Sequence, residues 1–213
     1  IMVSLRDLSY IYLSCFGFFY SADALNLKKV FTLYNIHGII IENNLNVLEF
    51  CMNIFFINRC PFKSAEELCD KHVVKMVLET AQMCSTAIHE WCFPDEDITN
   101  RIYKPAYKNH PMTVWVRDND ANMSWALLHG LHIGAEYKYR YGKDHKSTTI
   151  LKNIADFMFH DDFDEDYRLH TTPPQCMPDE HKRLDYVDAY RAYYRADKAH
   201  ILNWTNRPQP DWI

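Results

Sequence analysis

The stretch SAEELCDKHVVKMVLETAQMCSTAIHE, residues 64–90, decides the fold class. Ser64 precedes Glu67 by three residues, the spacing at which a hydroxyl and a carboxylate cap a helix start reciprocally. From Ala65 the pattern predicts a helix to about Glu90. Val73, Val77, Cys84 and Ile88, with Val74, Leu78 and Ala81 beside them, recur at the three- and four-residue steps that share a helix face. His72, Lys75, Glu79, Gln82 and Thr86 stack on the opposite side. One side reads as core and the other as polar.

Working downstream, Phe93 to Asp97 reads as a loop, and Tyr103 to Pro111 (YKPAYKNHP) as an extended, locally basic segment. A second long helix is expected from Asp118 or Asn119 to Tyr141, burying Met123, Leu127, Gly130, Ile133 and Tyr137. Asn122, His129, Glu136 and Arg140 share another side of it, and Gly142 is placed to stop it. A third helix is expected from Ser147 to Phe159. The acidic run His160 to Asp166 lacks the spaced ligands and the glycine of a calcium loop and reads as solvated. After the proline-rich connector Thr171 to Pro178, a last helix is expected from about Lys182 to Asn203. Tyr186, Tyr190, Tyr193 and Tyr194 interleave there with Arg191, Arg195 and Lys198, ahead of an aromatic tail, Trp204 to Trp212.

Working upstream, Met52 to Ile57 (MNIFFI) has strand length and ends in the turn-like Asn58-Arg59-Cys60-Pro61. The residues before Met52 are apolar and poor in charge, and their longest apolar run, Leu8 to Tyr20, falls short of the roughly 20 residues that span a bilayer. Residues 1–51 are therefore expected to be an upstream extension outside the native domain, read as translation ahead of a start at Met52. A signal or anchor and an extra strand or helix stay open for this segment.

Composition narrows the class further. A hydrophobic share of 48% and an aromatic share of 15% supply a core, which excludes wholesale disorder. Only 5 glycines are present, too few for the many turns of a β-sandwich or a doubly wound α/β fold. The expected class is all-α: a compact multi-helix domain over 52–213, with a short N-terminal strand near 52–57. A net charge of -5 argues against a generally basic nucleic-acid coat but leaves room for a local basic groove. The cysteines Cys15, Cys51, Cys60, Cys69, Cys84, Cys92 and Cys176 are odd in number and form no C-x-x-C pair. They read as reduced, packed thiols of a cytoplasmic protein rather than a zinc site or disulfide frame.

Three constellations can carry chemistry. His72, Lys75 and Glu79 place a carboxylate beside a lysine and a histidine, which suits acid–base work or stabilisation of a developing cation; the plainer reading is a solvated face with a Lys–Glu pair. Basic and aromatic residues alternate from Asn109-His110-Pro111 through Trp115 and Arg117 to Arg140, Lys143, His145 and Lys146, a pattern that suits a phosphate backbone and a displaced base. Trp115 and Trp125 read equally well as core. His129, His132 and Glu136 stand at metal-compatible spacing but lack any H-E-x-x-H signature.

The ordered run of Met52-Asn53-Ile54-Phe55, Asp70-x-His72 with Glu79 seven residues on, His110-Pro111 before Trp115, Arg140-Tyr141-Gly142 and His145-Lys146-Ser147 resembles a set of phage and environmental proteins. More distantly, it resembles the pyrimidine-dimer DNA glycosylase family of small all-helical repair enzymes. The resemblance covers roughly Met52 to Ser147. It implies attack of an N-terminal α-amine on the sugar C1′ of a damaged nucleotide, release of the base through an imine, and strand cleavage by β-elimination. An α-amine suits that role because its pKa, about 8, leaves a neutral fraction at physiological pH. The family's helix glutamate, which stabilises the cationic intermediate and manages protons, corresponds to Glu79.

Two departures stand out. The residue exposed by removal of Met52 is Asn53, larger than is usual for Met removal, and the arginine that precedes the family's glutamate is Leu78 here. Lys75, one turn before Glu79, offers a second amine.

The function expected is thus a DNA-repair glycosylase with lyase activity on damaged pyrimidines, acting as a monomer on double-stranded DNA without metal, cofactor or membrane. Its compartment is the cytoplasm, that of a host cell if the protein is viral. The catalytic set is Glu79, Met52, Asn53 and Lys75; the substrate groove is His72, His110, Arg117, Arg140, Lys143, His145 and Lys146. Two other classes remain: a non-catalytic accessory protein binding nucleic acid or a host protein through its Tyr/Arg helix, and a metal-dependent hydrolase built on His129, His132 and Glu136.

Overall fold

The computed structural model describes residues 52–91, 96–159 and 165–213. The chain falls into two units, Ile1–Phe50 and Cys51–Ile213, and every element below belongs to the second. The expected upstream extension, the loop residues 92–95, the acidic residues 160–164 and the thiols of Cys15, Cys51 and Cys92 lie outside the described residues.

The described residues form seven α-helices: α1 (Pro61–Glu67), α2 (Asp70–Trp91), α3 (Glu96–Thr99), α4 (Pro111–Asp118), α5 (Asp120–Tyr141), α6 (Lys146–Met158) and α7 (Tyr186–Asp197). Short 3₁₀ turns occupy Glu165–Leu169, Asp179–His181 and Ala199–Ile201, and no strand occurs among the described residues. The fold is all-α. Helix α2 packs against α4, α5 and α6, and α5 in turn packs against α1, α4 and α6. At Gly130 the approach is close: a Cβ there would come within 2.8 Å of the Thr80 methyl and 2.9 Å of Leu151.

Where the sequence predicts one helix over 65–90, the structure has two. Helix α1 starts earlier, at Pro61, whose fixed φ suits a first helical turn. It stops where Leu68 turns extended, at φ -62° and ψ 138°. Ser64 caps nothing; its hydroxyl donates to the Phe55 carbonyl at 3.0 Å. Helix α5 follows expectation more closely. Asn119 caps it by accepting from the Asn122 N–H, and Gly142 ends it in the left-handed region at φ 70°. Helix α6 also matches, whereas the expected helix over 182–203 is regular only across the twelve residues of α7.

The strand expected near 52–57 is not formed, although the segment is wholly buried. Phe55 and Phe56 pack into two aromatic groups that share Tyr190. Phe55 stacks on His72 at 4.3 Å and meets Tyr190, Tyr193 and Tyr194. Phe56 stacks on Trp125 at 4.1 Å and meets Trp115 edge-on. Side chains take the place of a sheet ladder: the Asn53 N–H donates to Glu79, and the Ile57 carbonyl accepts from Arg191. The core thus wraps around this segment, with Trp115, Trp125, Tyr190 and Tyr194 all buried.

The polar face expected on α2 is also largely covered. His72, Glu79 and Thr86 are buried, while Val74 and Leu78 are 44% and 37% exposed. The register slips because segment 52–57 lies over one edge of that face and segment 103–108 over the other, as their bonds to Glu79 and Thr86 show.

Candidate functional site

Glu79 is the centre of one group. Its Oε2 accepts the Asn53 backbone N–H at 3.0 Å, and its Oε1 pairs with Lys75 Nζ at 3.1 Å. Its side chain is only 9% exposed, whereas that of Lys75 is 47% exposed, so the pair sits at the rim of the protein. Burial raises the Glu79 pKa above the ordinary carboxylate range, and the Asn53 N–H and Lys75 oppose that rise. A carboxyl in this position can hold or release a proton nearer neutrality than an exposed one.

The rest of this group is rigid. Asn53 is fixed by three bonds: its amide donates to the Cys176 carbonyl at 2.9 Å, and its side-chain oxygen accepts from the Tyr190 hydroxyl at 2.9 Å and from the Ile54 N–H. Met52 is buried beside it. His72 stacks on Phe55, and its Nδ1 bonds the Tyr194 hydroxyl. Burial, with help from Lys198 and Lys75, pulls the His72 pKa down to about 3, so the ring is neutral at physiological pH. Met52, Asn53, His72, Lys75 and Glu79 are therefore brought together, with His72 buried against Phe55 and Tyr194.

Arg140 belongs to a different network. Its guanidinium side chain has 0% exposure and pairs with Asp70 at 3.0 Å and Glu136 at 3.2 Å. It also donates to the carbonyls of Leu68 and Glu66, which closes the break between α1 and α2. Asp70 accepts from Asn203 and from both the N–H and the hydroxyl of Thr205, and Glu136 pairs with Arg207. Trp204 and Trp212 donate to the carbonyl and the carboxylate of Glu67. This network straps the C-terminal tail over the α1–α2 junction, and Arg140 has no face left for a substrate.

The remaining basic candidates stand at helix ends. His110 caps α4 by accepting the Met112 N–H at 3.2 Å, and His145 caps α6 in the same way from Ser147 at 3.1 Å. Burial lowers the pKa of both, which favours the neutral ring that capping requires. Arg117 donates to the Lys108 carbonyl at 2.6 Å. Tyr103 bonds Ser147 beside exposed Lys146, and Lys143 lies 6.0 Å from the Tyr137 ring. Segment 103–109 thus bridges the starts of α4 and α6 across α2. Sequence reasoning read it as basic but did not single out Ser85 or Tyr107; the alternation of Lys and Tyr over 103–108 was the available signal.

Among the described residues no group of three or more His, Cys, Asp or Glu could hold a metal ion. His129 is buried without a hydrogen bond at either nitrogen, His132 packs on Phe62, and Glu136 is taken by Arg140 and Arg207. Among the described thiols, Cys60, Cys69 and Cys84 form no disulfide, and burial raises the Cys84 pKa to about 12. A cleft of about 490 Å³ lined by Arg59, Tyr167, Arg168, His170 and Tyr186 shares no residue with the Glu79 group. No described helix is long and apolar enough to cross a membrane.

Residues 52–149 match the family model described as pyrimidine dimer DNA glycosylase. The matched span holds every candidate residue named above and ends in the first turn of α6. The chain distantly resembles that family of DNA-repair glycosylases, and α7 with the C-terminal tail lies outside the resemblance. No curated protein and no solved structure matches the chain.

Proposed function

We propose that this protein is a DNA-repair glycosylase that removes damaged pyrimidines from double-stranded DNA through an imine and then cleaves the strand. The observation that carries the reading is the 3.0 Å contact between the Asn53 nitrogen and the buried Glu79 carboxylate. Within a continuous chain that nitrogen is an amide, which donates a hydrogen bond and cannot attack. In a chain that begins at Asn53 it is a primary amine already held against Glu79.

The neutral amine attacks C1′, the C1′–N bond breaks, and its electron pair leaves with the base, which takes up a proton. Loss of one proton from the attached amine, and opening of the sugar ring with a proton taken up by its oxygen, leave an iminium at C1′ that keeps one N–H. Removal of a C2′ proton expels the 3′ phosphate, and water returns the amine by hydrolysing the imine. Glu79 is placed to accept and return the amine and ring-oxygen protons, and its anion stabilises the iminium charge. Lys75 Nζ, 3.1 Å from the same carboxylate, is a second amine within reach.

Glu79→Gln tests the reading. Strand cleavage of ultraviolet-irradiated and abasic duplex is expected to fall by about 10²–10⁴-fold, with DNA affinity within about twofold of the parent. Unchanged single-turnover cleavage would remove Glu79 from the chemistry.

A further inference from the structure

Segment 103–109 crosses α2 on the same face that leads up to Glu79. The Ala106 N–H donates to Thr86 Oγ1 at 3.0 Å, and that hydroxyl lies 3.1 Å from the Ala106 carbonyl. The Tyr103 N–H reaches Ser85 at 3.3 Å, and its carbonyl meets His89 at 3.1 Å. Ser85, Thr86 and His89 continue the helical stripe that begins with Lys71, Val74, Lys75, Leu78 and Gln82. Lys71, Val74, Lys75 and Leu78 are exposed, so an open run of lysine and apolar side chains ends against this strap.

Tyr107 stands out on the strap. It is 62% exposed and has a φ of 49°, a left-handed conformation that bulky residues rarely adopt. The turn that imposes it is anchored from both sides: the Tyr107 carbonyl accepts the His110 N–H at 2.9 Å, and the Lys108 carbonyl accepts Arg117. A strained residue that persists with its side chain turned outward is over-determined by its surroundings. Exposed Lys104 and Lys108 flank it in the chain, Lys108 pairing with Glu90 at 3.3 Å.

We infer that Tyr107 is a base-stacking residue, and that the strap with the exposed stripe of α2 forms the face that grips DNA. The inference rests on the glycosylase reading above. The occupant follows from the chemistry: lysines on both sections suit phosphates, and an outward aromatic ring between lysines suits a nucleotide base. Thr86, which holds the strap, lies seven residues beyond Glu79, or about 10 Å along the helix axis. At about 3.4 Å per nucleotide that is about three base steps from the reacting sugar. Leu78, exposed where the resembled family carries arginine, gives the intervening surface an apolar contact in place of a charged one.

The test is binding of the full chain to duplexes with a single abasic site and 2-aminopurine placed one to five steps from it on either side. Binding is expected to change the fluorescence two to four steps away, and Tyr107→Ala to abolish that change and weaken affinity about tenfold. Tyr107→Phe is expected to retain both. Lys104→Ala is expected to weaken binding without altering the fluorescence position and to reduce the salt slope by about 1. An unchanged melting temperature in Tyr107→Ala separates these effects from misfolding. Parental affinity and fluorescence in Tyr107→Ala would overturn the stacking role while leaving the glycosylase reading intact, and would reassign the face to a protein partner. A chain beginning at Asn53 that neither binds nor cleaves these duplexes would overturn both.

Discussion

Asp70 and Glu79 stand on the same helix and meet opposite environments. Asp70, in the first turn of α2, accepts bonds from Arg140, Asn203 and Thr205. Burial alone would raise its pKa, yet these donors hold it below the ordinary value. Glu79, in the middle of the helix, receives one backbone N–H and one half-exposed lysine, and burial prevails to push its pKa up. A saturated carboxylate is locked as an anion and serves structure. An undersupplied one near the surface keeps the capacity to move a proton, so the contrast separates the strap of the tail from the candidate chemistry.

The contrast breaks most readily at Arg140. Arg140→Ala leaves Asp70 and Glu136 without their buried counter-charge and is expected to cost about 3–5 kcal/mol in urea denaturation. A loss under about 1 kcal/mol would show that the tail network is not structural.

Acid sharpens the comparison. His72 and His129 are both held neutral, with pKa values pulled down to about 3 by burial. Unfolded histidines titrate near 6.5, so the unfolded chain binds protons first as pH falls, and stability present above 6.5 is progressively lost towards 3. At pH 5 each histidine is expected to account for about 2 kcal/mol. Asp70 has the opposite sign of charge and a lowered pKa, so its contribution persists to below about 3.9. Acid unfolding is therefore expected to begin with the buried histidines, and a His72→Phe variant should show a shallower stability slope between pH 6.5 and 5. An unchanged slope would remove His72 from the titration.

Smaller effects are expected at the helix stop and at Glu79 itself. Gly142→Ala has room for its methyl group but must keep φ at 70°, and is expected to cost about 1 kcal/mol. Glu79→Gln removes the charge that burial disfavours while retaining an acceptor for Asn53. Its stability is expected to match or exceed the parent's even as cleavage is lost, the reverse of what Asp70→Asn should do. Matching stability losses in the two variants would erase the distinction between the carboxylates.

Much of this was legible in the sequence, and the exceptions have physical causes. The α5 pattern and its Gly142 stop are local, and the structure follows them. The break between α1 and α2 is not local: Leu68 and Cys69 continue the helical spacing, and the stop depends on Arg140, more than seventy residues away. The Glu79 group was indicated by the Asp70-x-His72 order and its glutamate. The role of Asp70 was hidden because its partners Asn203 and Thr205 lie at and beyond the end of the last expected helix, where no periodic signal remains. The short apolar run MNIFFI has strand length, but without a neighbouring strand the backbone is satisfied by Glu79, Ser64 and Arg191. His110 and His145 read as basic groove residues because histidine is not a preferred cap; only the neutral rings imposed by burial make them acceptors.

Borohydride trapping on abasic duplex, comparing a chain that begins at Asn53 with one that begins at Met52, tests the Asn53–Glu79 pair most directly. A covalent adduct is expected with the first and not with the second, and tryptic mapping should place it on the peptide that starts at Asn53. Equal adducts from both chains, an adduct on Lys75, or none from either would contradict the assignment of the Asn53 nitrogen as the nucleophile.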